Sequence, residues 1–255
     1  PNWVAPLFFE RLEHLDPKKN PYFRHSDVQL FIAERHGRAV GRISAQADTL
    51  RQKRHKDGVG QFGFLEAEDD PEVFAALFNA AGGWLKAREF AKAQGPFSFS
   101  INDETGLLVD GFDRPPNMMM GHARQYYGPR IEEQGFVKAK DVIVYDYDAR
   151  VEPPRSMLRI FEKALKSDEL RIRPLDKKEL KRDLDIIISI FNDAWSSNWG
   201  FVPFTPEEIT KLGNDLKMLV KNEYTAIADC KGEPAAMAVT LPNINDWIAG
   251  RDGRL

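Results

Sequence analysis

The sequence predicts an α/β fold in which mixed sheets are flanked by helices and one domain type occurs twice in tandem. Three observations predict it. A strand–turn–strand unit appears at Leu30–Ser44 and again at Thr225–Val239, each an apolar run, a charged turn with glycine and a second apolar run. Ala33 and Gly37 of the first copy match Ala228 and Gly232 of the second in spacing. Segments with apolar residues at helical spacing lie between the strands, and the two halves overlaid on the shared hairpin read β-α-α-β-β-β-α-β-α-β. The copies lie a domain length apart, unlike a solenoid with its short period.

The elements follow in order. Residues 27–48 form the first hairpin. In its second strand Ala39, Gly41, Ile43, Ala45 and Ala47 alternate with more polar positions, which is period two. Residues 49–59 read as a basic loop and Gln61–Glu68 as a third strand. A helix starts after Asp69 or Asp70, with Pro71 in its first turn and Val73, Phe74, Leu77, Phe78, Ala81, Trp84 and Leu85 on one face. The Gly82-Gly83 pair costs the helix roughly 1 kcal/mol per glycine and is expected to permit close approach to the sheet. Phe97, Phe99 and Ile101 alternate with two serines as another strand. A loop spans 103–121, a helix runs from about His122 to Gln134, and Val137–Asp148 give a last strand or hairpin.

Glu152-Pro-Pro-Arg155 is a candidate linker, which divides the chain into domains at 1–150 and 151–255. Beyond it come a short helix at 156–166, a strand at Leu170–Leu175, and a long helix with Leu180, Leu184, Ile187, Ile188, Phe191 and Trp195 on one face. Trp195 is expected in the core. Thr205-Pro-Glu-Glu opens a further helix whose stripe is Ile209, Leu212, Leu216 and Leu219. Residue 1 is not Met and the chain stops soon after the second hairpin, so it reads as truncated at both ends.

Composition narrows the function classes. The 255 residues are 42% hydrophobic and 29% charged, an ordinary globular balance. A net charge of −3 argues against nucleic acid as the main partner. One cysteine excludes an internal disulfide and a cysteine-rich zinc site, and the five histidines show no ligand spacing, so no metal is expected. No apolar run approaches the ~20 residues that span a bilayer. The expectation is a cytoplasmic protein.

Segments Asn2–Leu7, Lys19–Phe23, Val40–Ala45, Gly60–Glu66, Gly106–Asp113 and Asn198–Pro203 together resemble a bacterial family of tandem proteins of the GNAT (N-acetyltransferase-like, acyl-CoA N-acyltransferase) superfamily. That resemblance implies acetyl-CoA or another acyl-CoA as cofactor and a small-molecule or amine-bearing substrate. The fold holds its cofactor's pyrophosphate on backbone N–H groups at a helix start. At that place the first half has Glu66-Ala-Glu-Asp-Asp-Pro71, an acidic helix cap, so the first domain is expected to be degenerate and the cofactor loop to lie beyond Leu255. Tyr126 and Tyr127 are candidates for the general acid of the fold, or else pack on the sheet. Ser197, Asn198 and Trp199, between two helices of the second half, are candidates for substrate binding, as are Asn243 and Asn245; the alternatives are turn and core roles. The implied activity is N-acyl transfer in the second domain; a non-catalytic ligand-binding or scaffold protein is the competing class.

Overall fold

The computed structural model describes residues 2–219 and 221–254; the side chains of Leu216 and Leu219 lie outside what is described. The chain forms two compact units. The first holds Pro1–Lys140, Trp199–Val202 and Asn243–Leu255, and the second Asp141–Asn198 and Pro203–Pro242. The division therefore falls ten residues before the expected boundary at 150/151, and two later pieces belong to the first unit.

In the first unit, helix α1 (Phe8–Leu15) and a 3-10 turn (Pro21–Arg24) precede β1 (Ser26–Arg35), β2 (Arg38–Asp48), α2 (Thr49–His55), β3 (Val59–Ala67), α3 (Pro71–Lys86) and β4 (Lys92–Gln94). The sheet order is β1-β2-β3-β4, antiparallel except for β3 beside β4, which α3 connects. His36 and Gly37 both take positive φ, as a two-residue turn matched to strand twist requires. A short ladder joins β5 (Phe97–Ser98) to β6 (Glu104–Thr105), and α4 (Tyr127–Glu132) follows.

Residues 49–55 are a helix, not the expected loop. Asp48 caps it by accepting from the backbone N–H groups of Leu50 at 2.8 Å and Arg51 at 3.3 Å, and Lys53, Arg54 and His55 sit at the negative end of its dipole. The helix expected from about His122 is shorter, because Pro129 is tolerated only in a first turn. No regular strand occurs at 137–148. Val137, Val142, Ile143 and Tyr145 are exposed there, so the apolar residues of the expected strand bury nothing.

Helix α3 covers one face of the sheet. Val73, Phe74, Leu77, Ala81 and Leu85 bury against Ile43, Ala45 and Phe62. The close approach comes from glycines of the sheet. A Cβ on Gly41 would stand 2.9 Å from Val73 and Leu77, and one on Gly60 2.5 Å from Leu85. A methyl on Gly82 or Gly83 would meet nothing within 4 Å, and both residues face solvent, so their expected packing role is not observed.

In the second unit, α5 (Arg155–Leu165) leads to β7 (Leu170–Pro174), α6 (Leu180–Ala194), α7 (Pro206–Leu219), β8 (Thr225–Cys230) and β9 (Glu233–Val239). The sheet is antiparallel in the order β7-β8-β9. Leu175, Ile187 and Ile227 form its core. Thr205 and Glu208 exchange side chain and backbone bonds at the start of α7, a reciprocal capping box. Asp183 of α6 is fully buried and receives both guanidinium nitrogens of Arg173 at 2.8 and 2.9 Å. Trp195 is not core. It caps α6, is 43% exposed and stacks on Phe191 at 4.9 Å.

The two hairpins lie in separate sheets and share their irregularities. Lys231 and Gly232 repeat the positive-φ pair of His36 and Gly37. Each ladder slips register just before its turn, between Ala33 and Glu34 in one and between Ala228 and Asp229 in the other.

Candidate functional site

The face of the first sheet opposite α3 carries a row of short polar side chains. Ser44, Gln46 and Asp48 alternate along β2 and so point to one side. Ladder pairing sets Gln61 beside Gln46, Gly63 beside Ser44, and Ser26 beside Asp48. An exposed face would be solvated. This one is covered, and Ser44, Gln46, Asp48 and Gln61 are at most 3% exposed.

Two features close that face. A bulge in β3, with Phe64 at φ 47°, turns Phe64 onto the same side, where it joins Tyr22 and Phe99 in an aromatic cluster. Phe99 stacks with Tyr22 at 5.0 Å and with His14 at 5.1 Å. Segment 97–99 then crosses over the sheet, where Gln46 Nε2 donates to Phe97 O at 2.8 Å. Only glycine fits at 63, since a Cβ there would lie 1.7 Å from that same carbonyl oxygen.

Among the described residues, four atoms in the row have no hydrogen-bond partner: Ser44 Oγ, Gln46 Oε1, Asp48 Oδ2 and Gln61 Oε1. Three are pure acceptors and one is a hydroxyl. An unmet buried polar atom costs about 1–3 kcal/mol, so such a row calls for donors, from enclosed water or from the N–H and O–H groups of a ligand. Its charge comes from Asp48, whose Oδ1 faces His25 Nδ1 at 3.1 Å. The nearby buried Arg51 is engaged elsewhere, by both oxygens of Asp57 at 2.8 Å.

The expected catalytic tyrosines serve the end of β3. Tyr126 donates to Ala67 O at 2.7 Å. Tyr127 donates to Glu66 at 2.8 Å and accepts from Ala67 N at 3.1 Å. Burial, reinforced by the Glu66 charge, pushes the Tyr127 phenol well above its ordinary value. The acidic turn before α3 is matched by arginines. Arg38 pairs with Glu68, Arg35 with Asp70 at 2.5 Å, and Arg130 with Asp69 at 2.8 Å. Asp70 accepts from Glu72 N at 2.9 Å and Pro71 brings no N–H, so the start of α3 does not fit a pyrophosphate.

The segment 195–201 is split. Ser197 and Asn198 belong to the second unit, are exposed and make no side-chain hydrogen bond among the described residues. Trp199 to Val202 belong to the first unit. Trp199 approaches Phe97 at 6.4 Å, Phe201 O meets His55 Nε2 at 2.9 Å, and Val202 O accepts from Asn102 at 3.1 Å. Asn243 accepts from Met118 N at 3.0 Å and Asn245 donates to Pro116 O at 2.8 Å, so both hold the 116–118 loop. Sequence reading missed the row on β2 because alternation of small and polar residues describes a half-exposed strand equally well. The available signal was side-chain chemistry: Ser, Gln and Asp with a facing Gln, where a wet face favours Lys and Glu. Among the described residues no cluster of His, Cys, Asp and Glu could hold a metal ion, and no helix is long and apolar enough to cross a membrane.

No family model and no solved structure matches the chain. It is 46% identical over 256 aligned positions to a protein named Bacterial ceramide synthase from Caulobacter vibrioides (strain NA1000 / CB15N), in an alignment covering 100% of this chain and 66% of that protein. It is 42% identical over 258 positions to Protein YghO from Escherichia coli (strain K12), covering 100% of this chain and 65% of that protein. The chain thus spans just under two thirds of the length of each of these relatives.

Proposed function

We propose that this chain is part of a GNAT-like N-acyltransferase that joins a fatty acyl group to the amine of a long-chain amino alcohol. The observation that carries the reading is the 46% identity, along the whole chain, to a protein named for ceramide synthesis. A ceramide is an amide of that kind. In the reaction the amine nitrogen attacks a thioester carbonyl, a C–N bond forms, the C–S bond breaks, and the nitrogen's proton ends on the departing thiolate or on solvent. The two equivalent hairpins, one in each sheet, support a tandem arrangement.

The polar row supports recognition of the acceptor. An amino alcohol offers N–H and O–H donors, and the row offers Asp48, Gln46, Gln61 and Ser44 oxygens that lack them. In the second unit, the exposed Ser197 and Asn198 keep their side chains available to a substrate. The donor is proposed to be an acyl-CoA, held outside the α3 turn, where the Asp70 carboxylate already occupies the Glu72 N–H and would repel a pyrophosphate.

The test is amide formation from an acyl-CoA and a long-chain amino alcohol, by wild type and by Gln46→Leu and Gln61→Leu. We expect the KM for the amine to rise at least tenfold with an unchanged KM for the thioester, as when a polar site loses a substrate hydrogen bond. Variants that keep the amine KM and gain stability would show that the row holds water alone.

A further inference from the structure

Helix α5 segregates its apolar and charged residues onto opposite sides, and the large apolar side chains are exposed. At 100° per residue, Met157, Leu158, Ile160, Phe161 and Leu165 fall within one arc of about 160°. Arg155, Arg159, Lys163 and Lys166 fall together on the other side with Ser156 and Glu162. All five are exposed, with Ile160 at 66% and Leu165 at 69%, and Ala164 in the same arc is half-buried. None of the four cations has an ion-pair partner among the described residues. The helix has 11 residues, and an isolated helix of that length is marginal in water. It therefore needs a surface that takes both halves of its pattern.

We propose that α5 is a membrane-surface anchor that lies in the interface of an anionic bilayer, its apolar arc in the acyl boundary and its four cations among the phosphates. The charge pattern selects this occupant. Protein interfaces are depleted in lysine, whereas unpaired Lys and Arg bordering a wide apolar arc match an anionic lipid surface. The helix lies in the plane of the membrane and spans nothing. The inference stands apart from the acyltransfer reading, since it needs no turnover.

The test is co-sedimentation of the chain with vesicles of phosphatidylglycerol and phosphatidylcholine, against vesicles of phosphatidylcholine alone. Binding is expected to the anionic vesicles and to weaken as salt rises. Arg159→Gln with Lys163→Gln should lower affinity about thirtyfold, which corresponds to about 1 kcal/mol per cation near the surface. Phe161→Gln with Leu165→Gln should abolish binding. All four positions are exposed, so the circular dichroism and melting temperature of these variants should stay near wild type, and acyltransfer in detergent should persist. Absence of vesicle binding, binding that the substitutions leave unchanged, or a wild-type dimer that the Phe161 and Leu165 substitutions split would each overturn the anchor.

Discussion

Replacing Asp183 by Asn should destabilise the second unit in a pH-dependent way. Burial by itself would raise this carboxyl, but the Arg173 fork, the Asp176 backbone N–H and Arg182 outweigh it and bring the value from 3.8 down to about 2. A depression of that size corresponds to about 2.5 kcal/mol between the two protonation states. Because the folded value is the lower one, the stabilisation is complete above the unfolded value near 4, fades as pH falls from about 4 to about 2, and is gone below that. Wild type should exceed Asp183→Asn by about 2–3 kcal/mol in urea unfolding at pH 6, with hydrogen exchange of β8 amides reporting the same loss locally. The gap should close as pH approaches 2. Other carboxyl groups titrate alike in both proteins and cancel. A gap that stays constant from pH 6 to pH 2.5, or one below about 0.5 kcal/mol at pH 6, would refute the assignment of Asp183 as an ionised, arginine-held group.

Three further expectations concern stability. Gly82→Ala and Gly83→Ala should each stabilise the first unit by up to about 1 kcal/mol in thermal unfolding, since a methyl there meets nothing and helix propensity improves; a loss at either site would show a contact that the structure lacks. Tyr127→Phe should cost about 1–3 kcal/mol, because the Ala67 N–H loses its buried acceptor; an unchanged denaturation midpoint would contradict this. Trp195→Ala should cost well under the ~3–5 kcal/mol of a buried aromatic, its ring being half exposed against Phe191; a drop in that larger range would place Trp195 in the core after all.

The parts that sequence made legible are those with short-range causes. The paired turns at His36-Gly37 and Lys231-Gly232, the Asp70 cap with Pro71 behind it, and the Thr205–Glu208 box all depend on residues within a few positions of one another. The helix at 49–55 was hidden because its basic run reads as solvated chain, while its cap, Asp48, belongs to the preceding strand. The polar row was hidden for a different reason. Whether the Ser44–Asp48 side of β2 is wet or closed is decided by Tyr22 and by residues 97–99, which lie roughly twenty positions before and fifty after. Trp195 continues the apolar stripe of α6 in register, yet the helix ends there and the stripe outlasts the core.

The return of Trp199–Val202 and Asn243–Leu255 to the first unit bears on how the chain can reach its native state. His55 meets Phe201 across 146 positions, and the Phe8 N–H donates to Gly253 O at 2.9 Å from a still greater separation in sequence. A unit whose sheet pairs mostly between neighbours thereby takes further contacts from pieces that leave the ribosome long after its strands. Closing such loops is entropically slow. The first unit consequently has two clocks: its strands and α3 can assemble early in translation, but the seats for Phe201, Val202 and residues 243–254 stay open until those pieces have emerged. A fragment ending near residue 150 would carry those seats empty, so limited proteolysis, not excision, is the way to tell the units apart.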